Sequence, residues 1–336
     1  MKRIRLNSNN ISLFITVGLF LLLFIIGSVT FTGFFSLQLI LNLFIDNAHL
    51  IICALGVTMV IISGGIDLSV GSIIGLVAMV TAYSVTVLHM PILLVLMIDI
   101  LVGVAIGLIN GVLITYFNFQ PFIATLTTQF LGRGLIYVIS TDTISIQDPA
   151  FIAISEYRLP MPGNSFISVG VIIALVVLAI FIFIAHSTKF GRTIYAMGGN
   201  EQSARLMGLS VDKTKVGVYL LSGIYASIAG IVFSLYMLSG YGAHANGIQM
   251  DAATAAVIGG TIMTGGVGFV VGTVVGVLIE GIIQTLIMFQ GTLSAWWTSI
   301  AIAFLLLLFI VIQRIIAIRR ETKKTTRSVE SIKEAA

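Results

Sequence analysis

Apolar runs of about 20 residues recur from one end of this 336-residue chain to the other. A run of that length is what an α-helix needs to cross the roughly 30 Å hydrocarbon core of a bilayer. Composition agrees with a lipid solvent. Hydrophobic residues make up 58% of the chain and charged residues only 9%, too few to coat a soluble surface. The expected class is all-α: a polytopic membrane protein of about ten transmembrane helices.

The net charge of +4 is not spread like a nucleic-acid surface. Fifteen of the 17 Lys and Arg lie in the first five residues, in 189–215, or from Arg314 onward; only Arg133 and Arg158 lie elsewhere. This is the positive-inside bias, which places those three regions in the cytoplasm. A single cysteine, Cys53, excludes an intrachain disulfide. The first run has a basic flank but no A-x-A site after it, so it reads as an uncleaved helix.

The expected spans are 11–30, 37–63, 69–88, 92–117, 121–139, 167–185, 216–239, 251–265, 268–289 and 293–317. Ten spans from a cytoplasmic N-terminus put 186–215 and the tail inside and 140–165 outside, in accord with the charge. One transmembrane domain would cover 1–320, with a basic cytoplasmic tail over 321–336. The 251–265 segment is short and glycine-rich; it either spans or re-enters. With one gap after Ile109, GVAIGLINGVLITYFNFQ (103–120) aligns with GTVVGVLIEGIIQTLIMFQ (272–290), bringing Asn110 onto Glu280. These two spans run in opposite directions, as an inverted internal repeat requires. Small-xxx-small packing alone produces similar glycine ladders.

The longest polar stretch inside the apolar chain is 186–215. Within it, Asn200 is a good helix N-cap and Gly208 a good terminator, after the pair Gly198 and Gly199. The helix between them places Glu201 in the first turn and Arg205 four residues on, with Ala204 and Met207 expected on one face. Two turns cannot hold themselves together in water, so something must pack on them. A cytoplasmic partner and the chain's own membrane edge are both possible supports.

GGIDLSVGS (64–72) breaks the helical pattern. Gly64 and Gly65 permit a sharp turn, and Asp67 or Ser69 can cap the next helix; an intramembrane carboxylate is also a functional candidate. On the second span Asn42, Asp46 and His49 follow i, i+4, i+7 spacing, with Asn47 beside them. They fit a hydrogen-bonding path for a polar solute, or a structural Asp–His pair. Asp99, Asn110 and Glu280 are further intramembrane polar residues. Trp296 and Trp297 suit an interfacial aromatic belt.

Several signatures are missing from the sequence. There is no GxxxxGK[ST], since Gly208-LSVD-Lys213-Thr214 lacks the glycine before lysine. HExxH, a clustered metal-ligand set and a G-x-S-x-G elbow are also absent. The expectation is a non-enzymatic chain that binds no metal or cofactor of its own.

GGIDLSVGS, QPFIATL (120–126) with Arg133-Gly134, TKFGRTIYAMGGNEQSARLMGLS (188–210) and VIGGTIMTGGVG (257–268) together resemble the permeases of bacterial ABC sugar importers of the ribose, xylose and galactose type. DNAHL (46–50), GGIDLSVGS (64–72) and FQGTLSAWWTSIAIA (289–303) are similar to one permease of galactofuranose importers, which pair two different permease chains. The resemblance implies an inner-membrane importer subunit that works with a periplasmic sugar-binding protein, a second permease and a cytoplasmic ATPase that binds ATP and Mg. It also implies that Gly198, Gly199, Asn200, Glu201, Arg205 and Gly208 form the segment on which the ATPase pulls. Gln313 and Arg314 stand where ribose-type permeases carry an acidic residue. The competing classes are an ion-coupled secondary transporter of a small polar solute, which several intramembrane carboxylates would suit, and a membrane transferase, for which no paired site is visible.

Overall fold

The computed structural model describes residues 10–294 and 296–311. The expected tail, including Gln313 and Arg314, lies outside the described residues, as does the basic N-terminus. The described chain is mostly helical, in the order α1 (Asn10–Thr30), α2 (Leu37–Ile62), α3 (Val70–Thr86), α4 (Ile92–Tyr116), α5 (Pro121–Ile139), α6 (Pro149–Ser155), α7 (Val169–Ser187), α8 (Lys189–Gly199), α9 (Glu201–Leu206), α10 (Val211–Met237), α11 (Ile248–Ile258), α12 (Val270–Gln290) and α13 (Trp296–Val311). Six of these helices are long and apolar enough to cross a membrane: α2, α4, α5, α7, α10 and α12. Shorter apolar helices are Phe14–Thr30, Val70–Thr86, Ile248–Ile258 and Trp296–Val311.

The bundle is built around α2, which is buried along most of its length. It packs against α7, α10, α11 and α12. The α10 helix in turn packs against α3 and α4, and α3 against α5. Leu93, Leu101, Phe130, Val138 and Phe183 face outward from α4, α5 and α7. An apolar rim around an apolar core is stable only where the surroundings are apolar too, so the burial pattern agrees with a lipid solvent.

Glycine sets how closely the helices approach. On α4, side chains at Gly103, Gly107 and Gly111 would run into the backbone of α10; on α12, Gly276 lies against α11, Gly272 against Gly259 just past its end, and Gly281 against Asn47 of α2. With no side chain between them, backbones touch, as in small-residue packing inside membranes.

Two departures from the expected spans concern function. The α11 helix stops at Ile258, and 259–269 is a loop with left-handed Gly260, Gly265 and Gly266. Eleven residues reach only about 16 Å, roughly half a bilayer. The stretch 186–200, expected as loop, contains α8. Thr188 caps it, its side chain accepting from the Gly191 N–H at 3.0 Å, and Ile194 and Met197 bury its inner face. The stretch 140–165 holds α6, capped by Asp148, and the first strand of a short hairpin, β2 (Arg158–Met161) with β3 (Ser165–Ser168); a second pair, β1 (Ile144–Ser145) and β4 (Ser239–Gly240), ties this region to the end of α10.

Three glycine pairs meet where α8 ends. Gly266 N–H donates to the Ile62 carbonyl at 2.8 Å, joining the turn after α11 to the end of α2. A Cβ at Gly198 would collide with that same carbonyl and lie 2.6 Å from the Gly266 nitrogen, and one at Gly265 would lie 2.9 Å from the Gly64 Cα. A Cβ at Gly199, by contrast, meets nothing within 4 Å. Gly198→Val should therefore lower thermal stability in detergent by about 1–3 kcal/mol, the usual cost of overpacking. Gly199→Ala should leave it unchanged or raise it by up to about 1 kcal/mol. Equal melting shifts for both variants would disprove the junction.

Candidate functional site

The α9 helix is short enough that its ends decide whether it forms. The Asn200 side chain accepts from the Ser203 N–H at 2.8 Å. At the other end Gly208 is left-handed, and its N–H reaches the Arg205 carbonyl at 2.9 Å while Leu209 N–H reaches Ala204 at 3.1 Å. Local chemistry thus fixes both ends where the sequence places them.

What packs on α9 is the chain itself. Ala204 is fully buried beside Met197 of α8 and Val211 of α10. Arg205 donates to Glu201 at 3.0 Å and to Asp212 at 3.0 Å, and Lys215 donates to both Glu201 oxygens at 2.9 Å. Ala204 and Met207 do not share an environment, contrary to expectation. Met207 is the C-cap, past the last regular residue, and is 67% exposed; Leu206 beside it is 83% exposed. Partial burial opposes the Glu201 charge, but hydrogen bonds from Lys215 and Arg205 prevail and hold its carboxyl below the usual range. Hydrogen bonds to Asp212 and Glu201 raise Arg205 above its ordinary value.

The α8–α9 unit rests on the turns at 63–69 and 259–269 through the glycine junction and through the Tyr195 hydroxyl, which donates to the Gly268 carbonyl at 3.1 Å. A cleft of about 440 Å³ joins the same parts: Gly64 and Gly65, Gln120 and Pro121, and Glu201 and Lys215 all line it.

Asp67 is 2% exposed and has three donors: Ser69 N–H at 2.9 Å, Ser69 Oγ at 2.6 Å and Ser222 Oγ of α10 at 2.7 Å. Asn110 of α4 donates to Ser69 Oγ at 3.0 Å and accepts from Thr128 of α5 at 2.8 Å. Ser69 is the N-cap residue of α3 by position, but its side chain makes no capping bond; it serves Asp67 and Asn110 instead. One buried carboxylate therefore links the turn, α3, α4, α5 and α10. Asn110 belongs to this closed interior network. Arg133 of α5 acts similarly on another loop, donating to the carbonyls of His244 at 2.6 Å and Ala245 at 2.8 Å.

The polar cluster on α2 divides. Asn42 accepts from Gln38 at 2.7 Å on an exposed face. Asp46 accepts from the Tyr236 hydroxyl of α10 at 3.2 Å rather than pairing with His49. His49 packs edge-on against Phe233 at 5.1 Å, and its Nδ1 has no hydrogen-bond partner among the described residues. Asn47 turns the other way, toward α12, where it lines a cleft with Glu280. Two features escaped the sequence reading, α8 and this cleft. Phe190, Ile194 and Met197, at i, i+4, i+7, are the signal that could have revealed α8. Among the described residues no group of three or more His, Cys, Asp or Glu is placed to hold a metal.

Comparison with known proteins bears on what this arrangement serves. Residues 39–311 match the family described as "Branched-chain amino acid transport system / permease component". The inner membrane ABC transporter permease protein YjfF of Escherichia coli K12 is 43% identical, covering 94% of this chain and 96% of its own. The fructose import permease protein FruG of Bifidobacterium longum is 42% identical over 93% of each chain. The ribose import permease protein RbsC of Haemophilus influenzae is 35% identical over 88% of this chain and 90% of its own. No solved structure matches.

The ion pairs around Glu201 set a pH response. Its folded carboxyl titrates below an unfolded value near about 4.3, so its support of α9 is complete above that value and is lost as pH falls through the folded one. Amide exchange over 200–208, corrected for intrinsic rates, should be slow at pH 7 and accelerate below pH ~4. Glu201→Gln should weaken protection at pH 7 by about 0.2–1 kcal/mol per exposed pair lost and shrink the pH step, leaving the share that Asp212 carries through Arg205. An unchanged step would show that other groups hold the helix.

Proposed function

The chain belongs to the branched-chain amino acid transport system / permease component family, and from that membership we propose that it is the membrane-spanning permease subunit of an ATP-driven monosaccharide importer. The relatives named for a substrate import sugars, ribose and fructose, and they align over most of the chain. The carrying observation is the outer face of α9. A helix capped at both ends and seated on Ala204 turns Leu206 and Met207 away from its own protein. Exposed apolar side chains on a fixed helix suit insertion into a partner. That partner is a cytoplasmic ATPase, which binds ATP and Mg and hydrolyses ATP for this non-enzymatic chain.

On this reading the termini and α8–α9 face the cytoplasm, and the six long and four shorter apolar helices make ten membrane passages, α3 and α11 completed by their preceding or following loops. The repeat of 103–120 in 272–290 is supported by packing: α4 lies on α10, and α12 lies on α2, as exchange of two halves requires. ATP binding moves the ATPase, α9 moves with it, and the glycine junction passes the motion to the turns at 64–69 and 259–269. Sugar arrives from a periplasmic binding protein and passes between this chain and a second, paralogous permease. Galactofuranose is the substrate favoured by the likeness of 46–50, 64–72 and 289–303 to galactofuranose permeases.

The test is uptake by the whole complex in proteoliposomes with galactofuranose, ribose, fructose and leucine in competition. Uptake should require ATP on the ATPase side and be inhibited most by galactofuranose. Leu206→Glu with Met207→Glu should lower it by about tenfold or more, each buried apolar anchor contributing roughly 1–3 kcal/mol, without changing the melting temperature. Leucine uptake without sugar uptake would replace the substrate class. Uptake driven by an ion gradient without ATP would replace the mechanism.

A further inference from the structure

Glu280 is the one carboxylate on α12, and it is 3% exposed. Neither of its oxygens has a hydrogen-bond partner among the described residues. None of the surrounding helices α2, α11, α12 and α13 carries a lysine or arginine. A carboxylate buried without donors is costly, and in a membrane such a group marks a functional site. Glu280 lines a cleft of about 570 Å³, shared with Asn47, Asp251, Gln284, Thr298 and Ser299, with its two oxygens buried just behind the cleft wall.

Asn110 aligns with Glu280 in the internal repeat, and the two positions contrast. Asn110 is satisfied on both sides, by Ser69 before α3 and by Thr128 on α5. Around Glu280 the corresponding places hold Asp251 on α11 and Thr298 and Ser299 on α13, yet no hydrogen bond closes the set onto its oxygens. In the first half the protein completes its own network. In the second half the network is left open where Glu280 borders the cleft.

We propose that this cleft is a hydroxyl-binding subsite of the sugar path, with Glu280 accepting from sugar hydroxyls and Asp251 as the second acceptor. Asn47 and Gln284 each offer an amide that both donates and accepts, which fits a ligand whose every hydroxyl does the same. Leu50, Ile287 and Met288 line the remaining wall and suit the C–H face of a sugar ring. Among the described residues no group of three or more His, Cys, Asp or Glu gathers at this cleft, and its amides and hydroxyls suit a neutral polyol better than a bare cation. The proposal rests on the sugar-importer reading.

The test uses the full complex with its ATPase and binding protein in proteoliposomes, supplied with the transported sugar and its monodeoxy analogues. Wild type should discriminate against at least one analogue. Glu280→Gln and Glu280→Ala should reduce that discrimination by about fivefold, the value of one hydrogen bond, while ATP hydrolysis continues. A binding-protein preference acts on wild type and variants alike and cancels. Should Glu280 variants fail to assemble, Gln284→Ala, at an exposed position, carries the test, and loss of discrimination against an analogue supports the subsite. Equal loss of uptake for sugar and all analogues would make Glu280 structural and overturn the proposal, as would wild-type discrimination in the variants. If wild type carries no sugar at all but carries another solute, the importer reading fails first, and that result is separate from any variant.

Discussion

A polar group inside a bilayer must find its partner within the protein, and here the carboxylate of Asp67 is the group on which most of the interior depends. It sits where the chain turns between α2 and α3. Its donors come from that turn and from α10, and through Ser69 and Asn110 the network extends to α4 and α5. Apolar packing inside lipid has little preference for one arrangement over another, because the tails outside are as apolar as the side chains inside. Directional hydrogen bonds supply the preference. Asp67 therefore fixes which helices are neighbours, and the glycines of α4 fix how near they come.

The second organising contact has no side chains at all. Gly64, Gly198, Gly265 and Gly266 bring three stretches of backbone together where α8 ends. Peptide against peptide is stiff, since there are no rotamers to absorb a displacement. The α9 helix adds its own rigidity through Ala204 and the Arg205, Asp212, Lys215 and Glu201 ion pairs. A force applied to α9 is delivered to the two turns rather than lost in a flexible loop.

Much of this was legible in the sequence wherever the cause was local. The caps of α9, the turn at Gly64 and Gly65, and the Glu201–Arg205 pair each depend on residues within a few positions of one another. The burial of Asp67 and its bond to Ser222 were not legible, because 155 residues separate the two. The α2 cluster was read as one face on spacing alone, but neighbours decide what a face meets: Asp46 finds Tyr236, whereas Asn47 finds α12. The α8 helix was hidden by its polar and glycine content. The cleft at Glu280 could not appear until α2, α11, α12 and α13 were assembled around it.

The seating of α9 divides its labour between two sides of one short helix. Ala204 faces in and anchors it; Leu206 and Met207 face out. Substitution at the outward pair leaves the anchor and the glycine contacts untouched. Where α9 docks a motor subunit as proposed, a lineage could exchange one motor for another by drift at two surface positions while the glycine contacts stay as they are.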